Sequence, residues 1–176
     1  MRQLEIGSGG GRQHGISTDA IFFPTLDVQC VGYALPFKAN VFDSIYMNGV
    51  FEHFTYPQAK QVLLECFRVL KPEGVLDFNV PDIEAFAHML VDKLTVGWRR
   101  GWMAPPQGLK ASGDIELDYI LSGFYGGQDR PGMVHQSGWT ERMLTAELQK
   151  AGFKDIVMYS HDHNEPGSHL SYRAGK

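Results

Sequence analysis

Leu4-Glu5-Ile6-Gly7-Ser8-Gly9-Gly10-Gly11 decides how the rest of this 176-residue chain is read. A short apolar segment delivers an acidic residue and runs straight into a glycine-rich turn. Glycine serves where backbone takes φ > 0 or passes close to a ligand, because no Cβ stands in the way. A glycine turn after a first strand is how doubly wound α/β proteins bring backbone N–H groups to a nucleotide-like ligand. Alone, the G-x-G-x-G spacing also fits a tight loop.

Working outward, strands and helices alternate. Apolar segments at 2–6, 16–22, 28–32, 42–48 and 74–80 are short enough to be strands. Between the fourth and fifth, Ala59, Val62, Leu63, Cys66, Phe67 and Leu70 repeat at helical spacing. Pro57 suits the first turn of that helix, and Lys71-Pro72-Glu73-Gly74 is expected to close it. Asp82 can cap a helix with the stripe Ile83, Phe86, Ala87, Leu90 and Leu94, and a further helix fits 114–124. The last helix runs from Thr140 as N-cap to Gly152, before strand-like pieces at 153–159 and 168–173. Such alternation predicts an α/β fold with a mostly parallel sheet. The links between the first four strands are short, near the minimum for a right-handed crossover. That flank of the sheet should be thinly covered, and a second copy of the chain, as a homodimer, is one way to cover it.

Length and composition predict a single domain over 1–176. An apolar fraction of 43% with 20% charged residues is that of a soluble globular protein. The net charge of −4 argues against a nonspecific nucleic-acid binder, so no nucleic-acid partner is expected. No apolar run is long enough for a membrane span and no signal peptide opens the chain, which makes a cytoplasmic location the expectation. Cys30 and Cys66 fall in a predicted strand and helix, as small buried hydrophobes of a reducing compartment.

The ordered set Glu5-x-Gly7-x-Gly9-x-Gly11, Asp19, Leu35-Pro36-Phe37, Phe42-Asp43-Ser44-Ile45, Glu52-His53 and Arg68-Val69-Leu70-Lys71-Pro72-Glu73-Gly74 resembles the class I S-adenosylmethionine (SAM)-dependent methyltransferases. It is most similar to the small type 11 methyltransferase domains. Tyr125-Gly126-Gly127-Gln128, His135 and Ala151-Gly152-Phe153 look like a compact subgroup of these. The resemblance implies a Rossmann-like class I methyltransferase fold: a mostly parallel seven-stranded sheet, a C-terminal antiparallel strand and reduced helices in the first half. It implies SAM as cofactor and S-adenosylhomocysteine (SAH) as product.

Within that frame the cofactor-binding candidates are Glu5, Gly7, Gly9, Gly11, Asp19, Ala34, Leu35, Asn48 and Gly49. The glycines let main chain approach the methionine and ribose portion. Glu5 can bind turn N–H groups or reach the ligand's ammonium through water. Asp19 can accept hydrogen bonds from two ribose hydroxyls, or cap a turn. No acidic residue precedes Leu35-Pro36-Phe37, where the family often meets the adenine amino group. Backbone of Ala34 and Leu35 is the substitute, and Tyr33 either stacks on adenine or joins the core. Asn48 and Gly49 would flank the methionine tail.

For catalysis, His53 and His135 have the ordinary pKa that suits a base near neutrality. Glu52 is expected to bond its own loop and Asp82 to cap a helix. Asp77, inside a predicted central strand, must reach solvent or a basic neighbour. Residues 96–138, with Trp98, Arg99, Arg100, Trp102, Pro105 and Pro106, read as a lid or acceptor-binding segment. His161, Asp162, His163, Glu165 and His169 fit a polar hairpin tip, and no metal site is expected.

An NAD-dependent oxidoreductase would leave the Leu-Pro-Phe and Arg-Val-Leu-Lys-Pro segments unexplained. A nucleic-acid amino methyltransferase would carry an Asn/Asp-Pro-Pro-Tyr-like tetrad where Asn48-Gly49-Val50-Phe51 stands. The resulting expectation is a SAM-dependent methyltransferase acting on a small-molecule or saccharide acceptor, at oxygen. The alternative is a catalytically inactive SAM-binding-fold interaction module.

Overall fold

A computed structural model describes residues 1–96, 114–129, 131–159 and 169–176. Seven strands form one sheet: β1 (Gln3–Ile6), β2 (Ile16–Asp19), β3 (Val28–Gln29), β4 (Phe42–Asn48), β5 (Leu70–Pro81), β6 (Lys154–Tyr159) and β7 (His169–Gly175). Their order is β3-β2-β1-β4-β5-β7-β6, with every pairing parallel except those of β7. This is the Rossmann-like seven-stranded class I methyltransferase arrangement expected from the sequence, with β7 antiparallel to both neighbours.

Among the described residues, helices begin only after β4. Helix α1 (Tyr56–Val69) opens with a Thr55–Gln58 capping box and buries Ala59, Val62, Leu63, Cys66 and Val69. Helix α4 (Glu141–Ala151) begins at Thr140 and stops at Gly152, whose φ of 101° only glycine adopts freely. Both pack on one face of the sheet, over Leu4, Ile45, Leu76, Phe78 and Tyr172. Helices α2 (Ile83–Val96) and α3 (Ile115–Tyr125) pair with each other around Phe86, Tyr119 and Ile120. The Asp82 carboxylate accepts the Glu84 N–H, as a helix cap should. Among the described residues, no helix is long and apolar enough to cross a membrane.

Three boundaries differ from the sequence reading. Strand β2 stops at Asp19 instead of residue 22, because the Asp19 carboxylate takes the Ile21 N–H in a tight turn that leaves Ile21 and Phe22 exposed. Strand β3 shrinks to two residues. Strand β5 begins at Leu70 instead of 74, because Leu70 pairs with Phe42 and draws Lys71–Gly74 into the strand.

The opposite sheet face carries Gln3, Glu5, Ser17, Ser44, Tyr46, Asp77 and Arg173, which share registers across β2, β1, β4, β5 and β7. Among the described residues no helix packs there. The return loop after the glycine turn lays His14 on Tyr46, with ring centroids 3.8 Å apart. Asp77 is buried on this face and accepts from Arg173 Nη2 at 2.7 Å and from the Tyr159 hydroxyl. The expected basic neighbour is therefore Arg173, directly opposite in register. Clefts of ≈ 420 and ≈ 230 Å³ open on this face and share Tyr46 and Asp77.

Candidate functional site

Parallel strands end together, so the turns after β1, β2 and β4 gather at one edge. There the chain bends as only glycine permits, with φ of 75° at Gly7 and 57° at Gly9. A Cβ on Gly7 would lie 2.3 Å from Val50. Gly11 needs no such freedom; its N–H merely closes a turn onto Ser8 O. Asp19 ties the second strand end to the first, one oxygen accepting Gly9 N–H at 2.9 Å and the other Ile21 N–H. Glu5 is buried, and its Oε2 accepts the N–H groups of Gln13 and His14 at 2.8 and 2.9 Å. Of the two roles expected for Glu5, holding the loop is the one the geometry displays.

After β4, Gly49 turns the chain with φ of 61°, and its N–H donates to Asn79 Oδ1 at 2.8 Å. The Asn79 amide also donates to Asn48 Oδ1 at 2.7 Å. Asn79, at the corresponding place on β5, thus orders the Asn48–Gly49 turn, a role sequence reasoning missed. Ala34 and Leu35 lie less openly than expected. Leu35 N–H donates to Glu65 Oε2, its carbonyl accepts from Arg68, and Ala34 N–H closes on Val31 O. Tyr33 takes the core option, edge-on to Phe54.

Beyond Gly49 a single turn, Phe51–His53, sets Phe51 in the core and Glu52 beside it. The chain returns to this point after α3. Gly126 makes the return possible, since a Cβ there would lie 1.9 Å from Met133 O. Gln136 and Ser137 N–H groups then donate to Glu52 O, and the Gln136 side-chain amide donates to His53 O. This strap sets His135 against Glu52, with Nε2–Oε1 at 3.9 Å, and against His53, with ring centroids at 5.0 Å. The two predicted catalytic histidines, 82 positions apart in sequence, are thus neighbours.

Their environments are set by burial. The Glu52 carboxyl is fully enclosed and pushed up to about 8, only weakly opposed by its own backbone N–H. Its Oε2 has no hydrogen-bond partner among the described residues. The loop bonds expected of Glu52 run instead through its own backbone: its N–H donates to the carboxyl, and its carbonyl accepts from Gln136 and Ser137 N–H. Burial pushes His135 down to about 4, against its bond to Gly123 O, with His53 and His169 adding to the lowering. His135 is neutral at pH 7, and Glu52 is largely protonated. The Glu52-His53 pair was visible as a motif, but nothing in the sequence showed that Glu52 points inward. Residues 97–113 and 160–168, with the Trp98–Trp102 segment and the His161-Asp162-His163 tip, lie outside the described residues.

Comparison with known proteins follows the same outline. Residues 17–78 match the family model described as a methyltransferase domain. A stretch of 60 residues, 32% of the chain, is 40% identical to the ubiquinone/menaquinone biosynthesis C-methyltransferase of Wigglesworthia glossinidia brevipalpis. The match covers 23% of that relative's length. Among solved structures, the 1,6-didemethyltoxoflavin-N1-methyltransferase of Burkholderia thailandensis, with SAH bound, aligns with 99% of this chain and 70% of its own at TM-score 0.63 and 17% identity. A SAM-dependent methyltransferase of Archaeoglobus fulgidus aligns with 99% of this chain and 86% of its own at TM-score 0.61 and 14% identity. One of Thermotoga maritima gives 99%, 82%, 0.59 and 17%. The resemblance read from the sequence therefore stands: residues 17–78 match a methyltransferase domain, and the chain takes the fold of the class I SAM-dependent methyltransferases.

Proposed function

We propose that the chain binds SAM and transfers its methyl group to a small-molecule or saccharide acceptor, at oxygen. The observation that carries this reading is the gathering of the glycine turn, Asp19 and Gly49 beside Glu52, His53 and His135 at one sheet edge. The residues of the glycine turn fit such a cofactor. Ser8 Oγ is buried in the turn with no hydrogen-bond partner among the described residues, and Asp19 keeps lone pairs for ribose hydroxyls. Backbone at Gly9 and Gly49 would pass the methionine portion. With Leu35 N–H committed to Glu65, adenine would rest on Ala34 and neighbouring apolar surface.

Bound SAM would supply a sulfonium methyl ready for in-line displacement. The protein's part is to align the acceptor and, for a hydroxyl, to take its proton. Glu52, with its carboxyl near 8, is tuned to the range where a general base works at neutral to mildly alkaline pH. His135 is held neutral beside it and can accept a hydrogen bond from the same hydroxyl. Acceptor choice is assigned to residues 96–138. The relatives bear on the acceptor atom only by their names, which include a C- and an N1-methyltransferase.

Calorimetric titration with SAM, SAH and NAD tests the cofactor. Micromolar SAM and SAH binding, no NAD binding, and a loss of at least 10-fold in Asp19→Ala are expected. A folded sample that binds neither SAM nor SAH would instead favour an inactive interaction module.

A further inference from the structure

The cluster beside Gly49 has features that proton transfer does not require. His53 Nδ1 lies 3.1 Å from Val134 O, and His135 Nδ1 lies 3.0 Å from Gly123 O. A carbonyl oxygen only accepts, so both rings carry their proton on Nδ1 and leave the Nε2 lone pair free. Imidazole held in this way, with one nitrogen donating to a backbone carbonyl, is how proteins prepare histidine to ligate a metal. Beside the His135 ring stands Glu52, side chain 5% exposed, with Oε2 buried and lacking a partner among the described residues. One ligating atom from each of Glu52, His53 and His135 lies within 4.8 Å of the others.

We propose that Glu52, His53 and His135 form a binding site for a first-row divalent cation such as Zn²⁺ or Mn²⁺. Two imidazoles and one carboxylate favour such borderline ions over Mg²⁺ and Ca²⁺, which prefer oxygen throughout. Ligand atoms around an ion at about 2.0–2.2 Å stand roughly 3–3.5 Å apart, so modest side-chain rotation closes the set. A cation there supplies the charge that a buried, unpaired carboxylate lacks. Three protein ligands leave coordination positions open. A Cβ on Gly49 would be 3.6 Å from Glu52 Oε1, so those positions adjoin the turn assigned to the cofactor. If the proposed function holds, an ion held by Glu52 and His135 would take the place of their direct contacts with the acceptor: it would bind the acceptor oxygen and lower its pKa, so that the proton passes to solvent. That role rests on the reading above; cation binding does not.

The test is calorimetry of the whole chain, stripped with EDTA and dialysed, against ZnCl₂ and MnCl₂, with MgCl₂ as the hard-ion control. One site per chain is expected for Zn²⁺ or Mn²⁺, weakened at least 10-fold in Glu52→Gln and in His135→Ala. Glu52→Gln keeps shape and neutrality, and circular dichroism checks that each variant is folded; His53→Ala repeats the test from a third position. A His161→Ala/His163→Ala variant should bind as the parent does. Absence of a site in the parent, undiminished binding in folded Glu52 and His135 variants, or loss confined to the His161/His163 variant would each overturn the proposal. SAM calorimetry on EDTA-stripped protein separates the two readings, since SAM binding does not need the cation.

Discussion

Ile16, Leu4, Ile45, Leu76 and Ala174 form one row across the sheet, while Ser17, Glu5, Tyr46, Asp77 and Arg173, each one position away, form the next. In the first row the residues from Leu4 to Ala174 are fully buried under α1 and α4. In the second every residue is polar, and among the described residues the cover is a return loop and an ion pair. Parallel sheets are ordinarily covered on both faces and read as continuous apolar runs. This one alternates apolar with polar, as an antiparallel sheet with one polar face does, although Ser17, Glu5 and Asp77 on that face are themselves buried. The lesson is that, among the described residues, helices pack beneath one face of the edge where the turns gather, and polar side chains line the other.

The largest effect should come from breaking the packed face. Phe78→Ala on β5 removes a ring that meets Phe51 and Tyr172, and should destabilise by about 3–5 kcal/mol in urea or thermal unfolding. Equal sensitivity at Arg173, on the polar face, would break the comparison. Next comes the turn that joins the two faces. Gly7→Ala must hold a left-handed backbone, at about 1–2 kcal/mol, and must push Val50 aside. Gly11→Ala meets nothing nearer than Ser8 O at 3.9 Å and should be close to neutral, which the same unfolding curves will show.

A third prediction sets Glu5, satisfied by two N–H donors, against Glu52, whose Oε2 has none among the described residues. Glu52 rises from an ordinary 4.5 to about 8 on folding, so the folded state holds its proton more tightly. Its contribution is fully present below about pH 4.5 and is lost as pH rises through 8. His135, lowered from 6.5 to about 4, contributes above 6.5 and loses that as pH falls through 4. EDTA-treated protein should therefore melt highest between about pH 4.5 and 6.5 and decline toward pH 8.5. Glu52→Gln should flatten the alkaline decline and keep the acid one; an unchanged alkaline limb would refute the burial argument. The smallest effect is Arg173→Ala. With the Arg173 side chain 59% exposed, its bond to Asp77 should be worth about 1 kcal/mol or less.

Much of this was legible in the chain. The glycine turn, the Thr140 and Gly152 caps and the spacing of Ala59 through Phe67 are local signals, and each marks an observed turn or helix. The shortage of helices between early strands follows from counting residues. Asp77 looked anomalous only while a two-faced apolar core was assumed; with Glu5, Tyr46 and Arg173 it belongs to a consistent polar face. What stayed hidden was long-range. Leu70 joins β5 because Phe42 pairs with it, and no local pattern announces that. Glu52 meets His135 through a return that depends on Gly126 and on the strap of Gln136 and Ser137. The commitment of Leu35 N–H to Glu65, thirty positions away, was equally invisible.

The short links between β1, β2 and β3 also bear on the order of folding. Parallel neighbours normally wait for a helix to form and cross over before they can pair. Here Leu4 reaches Ile16 across a nine-residue loop, 7–15, whereas Leu76 must find Ala174 near the other end of the chain. Loop-closure entropy grows with separation, so the β1–β2 pairing can form early and cheaply, while β5–β7 closes late. Kinetic φ-values should then be higher at Leu4 and Ile16 than at Leu170 and Ala174, and the gathered turns would exist as a nucleus before the strap delivers His135 to them.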